Sequence, residues 1–210
     1  MSDALGGIMS LLKPGPYGVS DDDPKAVLIR DLGDVLSPLK VKPVIIGGIA
    51  VIVHGRRRQT ADVDLLVARD DALTLIRALE ASTAFSKIRL DRFRHLGTGT
   101  GVDLCVEGEL TSPPHQDRFP SPGSVEQISR DPIAVVGLID LLALKAKSGR
   151  TRDAADFVDL FRERGLTSAD VDRVKAKIQD PVLRTLVDQW HARALEEIER
   201  DRLRKPPRLE

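Results

Sequence analysis

The sequence predicts an α/β fold of the α+β kind, a short mixed sheet with flanking helices followed by a C-terminal helical region. Three observations carry this expectation. Short apolar runs rich in β-branched residues, "KPVIIGG", "ADVDLLVA", "FSKIRLDRF" and "GVDLCVEGEL", alternate with helical segments up to about residue 110. From Ile133 onward the apolar spacing is helical, with short breaks. Hydrophobic residues make up 41% of the chain and aromatics only 3%, so the core is built from Leu, Val, Ile and Ala.

Along the chain, residues 1–20 are punctuated by Gly and Pro and read as a loose arm. The acidic run "SDDD" and Pro24 open a helix expected over about 24–38, with Val27, Leu28, Leu32, Val35 and Leu36 as its apolar stripe. "KPVIIGG" is expected to be a buried strand, and "IAVIVHG" a short helix closed by Gly55. "ADVDLLVA" is a second strand, and "DDALTLIRALEAS" a helix with Asp70 and Asp71 in its first turn. "FSKIRLDRF" and "GVDLCVEGEL" alternate and are expected to be single strands. Residues 111–124 carry Pro113, Pro114, Pro120 and Pro122 and form a loop. Four helical segments follow, with Gly149 and Gly165 as stops and Ser168 as a start. The expected division is an arm at 1–23, an α/β core at 24–132, a helical region at 133–200 and a charged tail at 201–210.

Composition removes several classes of function. The chain has 210 residues and 32 basic residues against 32 acidic ones, so no global charge points to nucleic acid or membrane. A single cysteine, Cys105, precludes an internal disulfide, and four scattered histidines do not suggest structural zinc. No apolar run is long enough for a membrane helix, and Asp3 without a basic leader makes a poor signal peptide. The expected compartment is the cytoplasm, with no membrane partner.

The chemistry concentrates in "GGIAVIVHGRRRQTADVDLL". Strand periodicity puts Asp62 and Asp64 on one face and Val63 on the other. Paired carboxylates among apolar residues repel and lose hydration, penalties that a bound divalent cation removes. Hard oxygen donors suit Mg²⁺. A strand end with ordinary hydrogen bonds is the bland alternative for a lone D-x-D. Gly47 and Gly48, between a strand and a helix, would let a phosphate approach backbone N–H groups. Neither a Walker A loop nor a dinucleotide fingerprint is present. In "GVDLCVEG", Asp103 shares a face with Cys105 and Glu107 and is a candidate third acid, against plain amphipathic alternation. Three carboxylates can hold one or two Mg²⁺ ions.

These residues resemble the nucleotidyltransferase superfamily, which has the DNA polymerase β-like fold. The pattern is similar to the bacterial GG-x-A…HG…R-x-T-x-D-x-D group that includes AbiEii-type toxins of toxin–antitoxin systems. The matching positions are Gly47, Gly48, Ala50, His54, Gly55, Arg58, Thr60, Asp62 and Asp64. "DLLALKAKSGRTRDAADFVDL" is similar to the group's later L-x-x-L-K…R…R-D-x-x-D segment, with Lys145, Arg150, Asp153 and Asp156 at its polar positions. The match covers 43–67 and 138–160 well and 102–106 loosely. The chain is short for an AbiEii-type toxin.

The resemblance implies a nucleotidyltransferase core at 24–132. Asp62, Asp64 and Asp103 would bind Mg²⁺ and carry catalysis. Gly47, Gly48, Arg58, Thr60, Lys145 and Asp153 would handle the nucleotide. The reaction would move a nucleoside monophosphate from an NTP, ATP among the candidates, to an acceptor hydroxyl on tRNA, protein or a small molecule. Two alternatives stand beside it. One is a regulatory or nucleotide-binding module without turnover. The other is a toxin with a separate antitoxin partner. Without the resemblance, Lys145 and Lys147 read as a solvated helix edge, and Asp153 and Asp156 as partners of nearby arginines. Arg56 and Arg57 read as solvated, His54 as a helix-end cap, and Trp190 as packing.

Overall fold

The computed structural model describes residues 17–204. Residues 1–16 of the expected arm and 205–210 of the expected tail lie outside the described residues. In chain order the elements are α1 (Pro24–Leu36), β1 (Val44–Ile46), α2 (Gly47–Val53), β2 (Asp62–Val67), α3 (Arg69–Ala81), β3 (Phe85–Arg89), β4 (Arg92–His95) and β5 (Gly101–Val106). A 3₁₀ turn at Pro122–Ser124 precedes β6 (Gln127–Ile128) and β7 (Ala134–Val136). The helices α4 (Leu138–Ser148), α5 (Thr151–Glu163), α6 (Ser168–Ala176) and α7 (Pro181–Arg204) complete the chain.

The strands form one seven-stranded mixed sheet in the order β3-β4-β5-β2-β1-β7-β6. β2 runs antiparallel to β1 and parallel to β5, and β1 runs parallel to β7. The central strands β1 and β2 are aliphatic because both faces are covered; Val44, Ile45, Val63, Leu65, Leu66 and Val67 are all buried. α2 packs on β1, β2, β7 and α4, and α4 packs on α5, α6 and α7. The mixed α/β architecture and the helical C-terminal region match the sequence expectation.

Several local expectations need correction. The helix expected from Ile133 begins only at Leu138, because Ala134–Val136 is a strand that extends the sheet beside β1. Its short apolar run suited either state, and the open edge of β1 decided it. This strand lies on the far side of the expected 132/133 division. "FSKIRLDRF" is two strands, since the chain turns at Leu90–Asp91 and folds back as β4. β6 was not expected. The α6 start is a capping box in which Thr167 accepts from the Asp170 N–H and Asp170 accepts from the Thr167 N–H, so Thr167 rather than Ser168 is the cap. Gly149 and Gly165 end α4 and α5 with φ of 63° and 60°.

Two contacts tie distant segments to this frame. The Tyr17 hydroxyl donates to the Ile133 carbonyl at 2.9 Å and accepts from the Ile133 N–H at 3.0 Å. Asp117, in the loop after β5, accepts from the N–H groups of Gln179 and Asp180 at 3.1 and 2.8 Å and pairs with Lys147 at 3.3 Å. The 111–124 loop is thereby fastened to the helical region.

Candidate active site

The site begins where β1 stops. Ile46 is paired with Asp64 across the antiparallel β1–β2 ladder, so the next residue, Gly47, lies beside the Asp64 side chain. Gly47 has φ of +64°, and a Cβ there would fall 1.9 Å from Asp64 Oδ2. A Cβ on Gly48 would fall 2.3 Å from Thr60 Oγ1. The two glycines are therefore required by the close approach of Asp64 and Thr60, whatever else binds there. The Gly48 N–H faces the Asp64 carboxylate and favours its charged form. Thr60 Oγ1 donates to the Asp62 carbonyl at 3.2 Å, bracing the entry into β2.

The three acids of the sequence expectation share one cleft. Parallel register sets Asp64 directly opposite Asp103 and Asp62 opposite Gly101. Because β2 and β5 keep the same pleat, Asp103 projects on the face of Asp62 and Asp64. Gly101 leaves room that Asp62 uses; a Cβ there would lie 2.2 Å from Asp62 Oδ1. Arg92 joins two of the acids, donating from Nη2 to Asp62 Oδ1 at 2.9 Å and from Nη1 to Asp103 Oδ2 at 3.1 Å.

The electrostatics record burial of the acids first and their crowding second. Burial, and then the facing Asp103, push the Asp64 carboxyl up to about 6, against the opposing pull of Lys145, the Gly48 N–H and Arg150. Burial also raises the Asp103 carboxyl, with Arg92 opposing and Asp62 adding to the rise. Cys105, two residues on, has its thiol pushed up by burial and by the charges of Asp64 and Asp103, so it is a neutral thiol rather than a nucleophile.

Behind the acids lies a buried charge cluster supplied by α4 and α5. Lys145 is only 4% exposed, and Asp153 and Asp156 are fully buried. The Lys145 ammonium meets Asp153 Oδ1 and Asp156 Oδ2 at 2.7 Å each. Asp156 also receives Arg56 and Arg58, while Asp153 receives Ser148 and, at 2.8 Å, Arg150. Burial alone would raise the Asp153 carboxyl, but Lys145, Ser148 and Arg150 outweigh it and hold it below the ordinary range. Burial pulls the Lys145 ammonium down, with Asp153 opposing.

These pieces surround a polar cleft of about 510 Å³ lined by Gly47, Gly48, Thr60, Asp62, Asp64 and Asp103 together with Arg58, Arg92, Lys145, Arg150 and Arg152. A smaller cavity of about 180 Å³ adjoins it at Asp64, between Cys105, Phe119, Leu141 and Leu144. Of the residues expected to act, Asp153 does not line the cleft; it sits behind, fixing Lys145 and Arg150. Arg92, Arg152 and Gly101 were not singled out for the site from sequence, and Arg150 was matched to the group's later motif without a role of its own. Arg92 gave no signal, because it lies inside "FSKIRLDRF", which reads as one strand, and its neighbour in the sheet is set by the fold. His54 is structural, its Nε2 meeting the Val136 carbonyl at 2.8 Å. Trp190 packs against Phe157, with ring centroids 5.6 Å apart.

The donor chemistry fits a hard divalent cation: three carboxylates on one face, two of them, Asp64 and Asp103, raised chiefly by burial. Among the described residues no group of three acidic, His or Cys side chains is closed around a metal position. Arg92 takes one oxygen from each of Asp62 and Asp103.

No protein-family model and no curated protein matches this sequence. A solved structure from Thermotoga maritima, provisionally described as a nucleotidyltransferase, is similar to this chain with a TM-score of 0.43 and 18% identity, over 68% of this chain and 96% of that one. No described helix is long and apolar enough to cross a membrane.

Proposed function

We propose that the protein is a Mg²⁺-dependent nucleotidyltransferase that moves a nucleoside monophosphate from an NTP to an acceptor hydroxyl. One observation carries this reading: Asp62, Asp64 and Asp103 converge in a single cleft whose lining also carries Arg58, Arg92, Lys145, Arg150 and Arg152. That is the charge distribution a metal–triphosphate complex needs.

In this reading Asp62, Asp64 and Asp103 hold Mg²⁺, with one or two ions according to the load. Bound Mg²⁺ would polarise the phosphoryl group and offset the charge of departing pyrophosphate. Arg58, Arg150 and Arg152 bind the phosphate oxygens and hold the triphosphate in line. Asp156 holds Arg58 and Asp153 holds Arg150 by direct pairs, and Lys145 bridges the two aspartates. The Asp103 carboxylate takes the proton of the acceptor hydroxyl. Catalysis is then positioning and electrostatics on a preorganised frame.

The Arg92 ion pairs favour a second reading, a nucleotide-binding or regulatory module whose acids are neutralised without metal. An antitoxin partner, suggested by the AbiEii-like motifs, belongs to the enzymatic reading and awaits an acceptor.

Incubation with each labelled NTP, Mg²⁺ and a cell extract separates these readings. Mg²⁺-dependent label on tRNA, protein or a small molecule, absent in Asp62→Ala/Asp64→Ala, supports the transferase. NTP binding by calorimetry without transfer supports the module. Neither binding nor transfer overturns both.

A further inference from the structure

Arg92 reaches the cleft by an unusual path. It pairs across the antiparallel ladder with Asp103, so its side chain rises on the acidic face. It then crosses the whole of β5 to meet Asp62 on β2 at 2.9 Å. The crossing is possible because the intervening residue is Gly101. A Cβ there would lie 3.2 Å from Arg92 Nη2 as well as 2.2 Å from Asp62 Oδ1. Gly101 does not need glycine for a positive φ. Its missing side chain instead leaves the space in which the guanidinium and Asp62 meet. The neighbouring Arg89 is paired with Asp91 at 3.3 Å, so Arg92 alone of the two serves the cleft.

We propose that the Arg92 guanidinium is a displaceable counter-cation that competes with a divalent metal for Asp62 and Asp103. This inference rests on the reading that those acids bind metal. Two like-charged groups on adjacent strands repel, and a cation between them offsets that repulsion. Arg92 supplies it before metal arrives. Its side chain is 35% exposed, so it can swing into solvent without unpacking the core. A divalent ion, with greater charge density and several oxygen ligands, takes both carboxylates when it enters. The guanidinium then stands at the cleft mouth, where an incoming phosphate can use it.

The test is Mn²⁺ binding to purified full-length protein, followed by electron paramagnetic resonance, for wild type, Arg92→Met and Arg92→Lys. Thermal unfolding is recorded with and without Mn²⁺. Removing the competitor is expected to tighten Mn²⁺ binding in Arg92→Met by roughly five- to tenfold, as for the loss of two half-exposed ion pairs. Arg92→Lys should fall between. The metal-free Arg92→Met protein should melt lower than wild type, and Mn²⁺ should raise its melting point by more. Equal or weaker Mn²⁺ binding in Arg92→Met than in wild type overturns the proposal and makes Arg92 a fixed structural clamp, while leaving metal binding itself intact. No Mn²⁺ binding by any of the three proteins overturns the proposal together with the metal-site reading.

Discussion

Asp64 and Asp103 face each other directly across the parallel β2–β5 pair, one residue from each strand at the same register level. Two carboxylates so placed cannot both be comfortably ionised without a cation, and the burden falls on Asp64, the more enclosed of the two.

This relationship gives a pH signature. The unfolded Asp64 carboxyl releases its proton near 3.8, whereas the folded one holds it up to about 6. Its contribution to stability is therefore complete below the unfolded value and lost as pH rises through about 6. Asp64→Asn should raise the melting temperature of metal-free protein by roughly 3 °C or more at about pH 8 and leave it unchanged near pH 4. A melting series across pH, wild type against variant, checks both ends. Mn²⁺ affinity of the wild type should weaken on acidification through the same window, because metal must displace that proton.

The buried cluster predicts the opposite slope. Asp153 is held below its ordinary range, so its stabilisation is present above about 3.8 and disappears as pH falls through the lower folded value. Lys145→Ala would leave Asp153 and Asp156 with fewer partners in a dry site and should cost about 3 kcal/mol. Asp153→Asn with Lys145→Met should recover part of that loss. Urea unfolding of the single and double variants measures the coupling.

Gly47→Ala is expected to damage metal binding more than a surface glycine change would. The new Cβ would collide with Asp64 Oδ2, and the φ of +64° adds strain of about 1 kcal/mol. Weakened Mn²⁺ binding in a protein that still folds is the expected result. Gly165→Ala, with a similar φ and nothing within 4 Å, should show the strain without the metal effect.

Arg58→Ala should weaken NTP binding by roughly tenfold, the loss of one charge-assisted contact. It should leave Mn²⁺ binding alone, since Arg58 pairs with Asp156 and not with the three acids. Calorimetric titration with NTP and with Mn²⁺ separates the two effects.

Much of the cleft was legible because its parts are local. Asp62 and Asp64 announce a shared face through strand periodicity alone. Gly47 and Gly48 announce a tight strand-to-helix junction, though the structure shows that Asp64 and Thr60 already demand them. Asp103 was a candidate only, because alternation cannot say which strand lies next door. Arg92 stayed hidden for the same reason, and its contact depends on Gly101, a residue that reads as the ordinary start of a strand. β7 was misread because three apolar residues carry no period of their own.

The sequence by itself determined the mixed α/β class, the aliphatic core, the acidic strand and the glycine junction, since each follows from spacing within a dozen residues. Tertiary structure decided that Asp103 stands opposite Asp64, that Arg92 crosses β5 to Asp62, and that Lys145 and Asp153 face one another in a dry cluster. Strand order and register bring together charges far apart in the chain, and only the fold as a whole sets them.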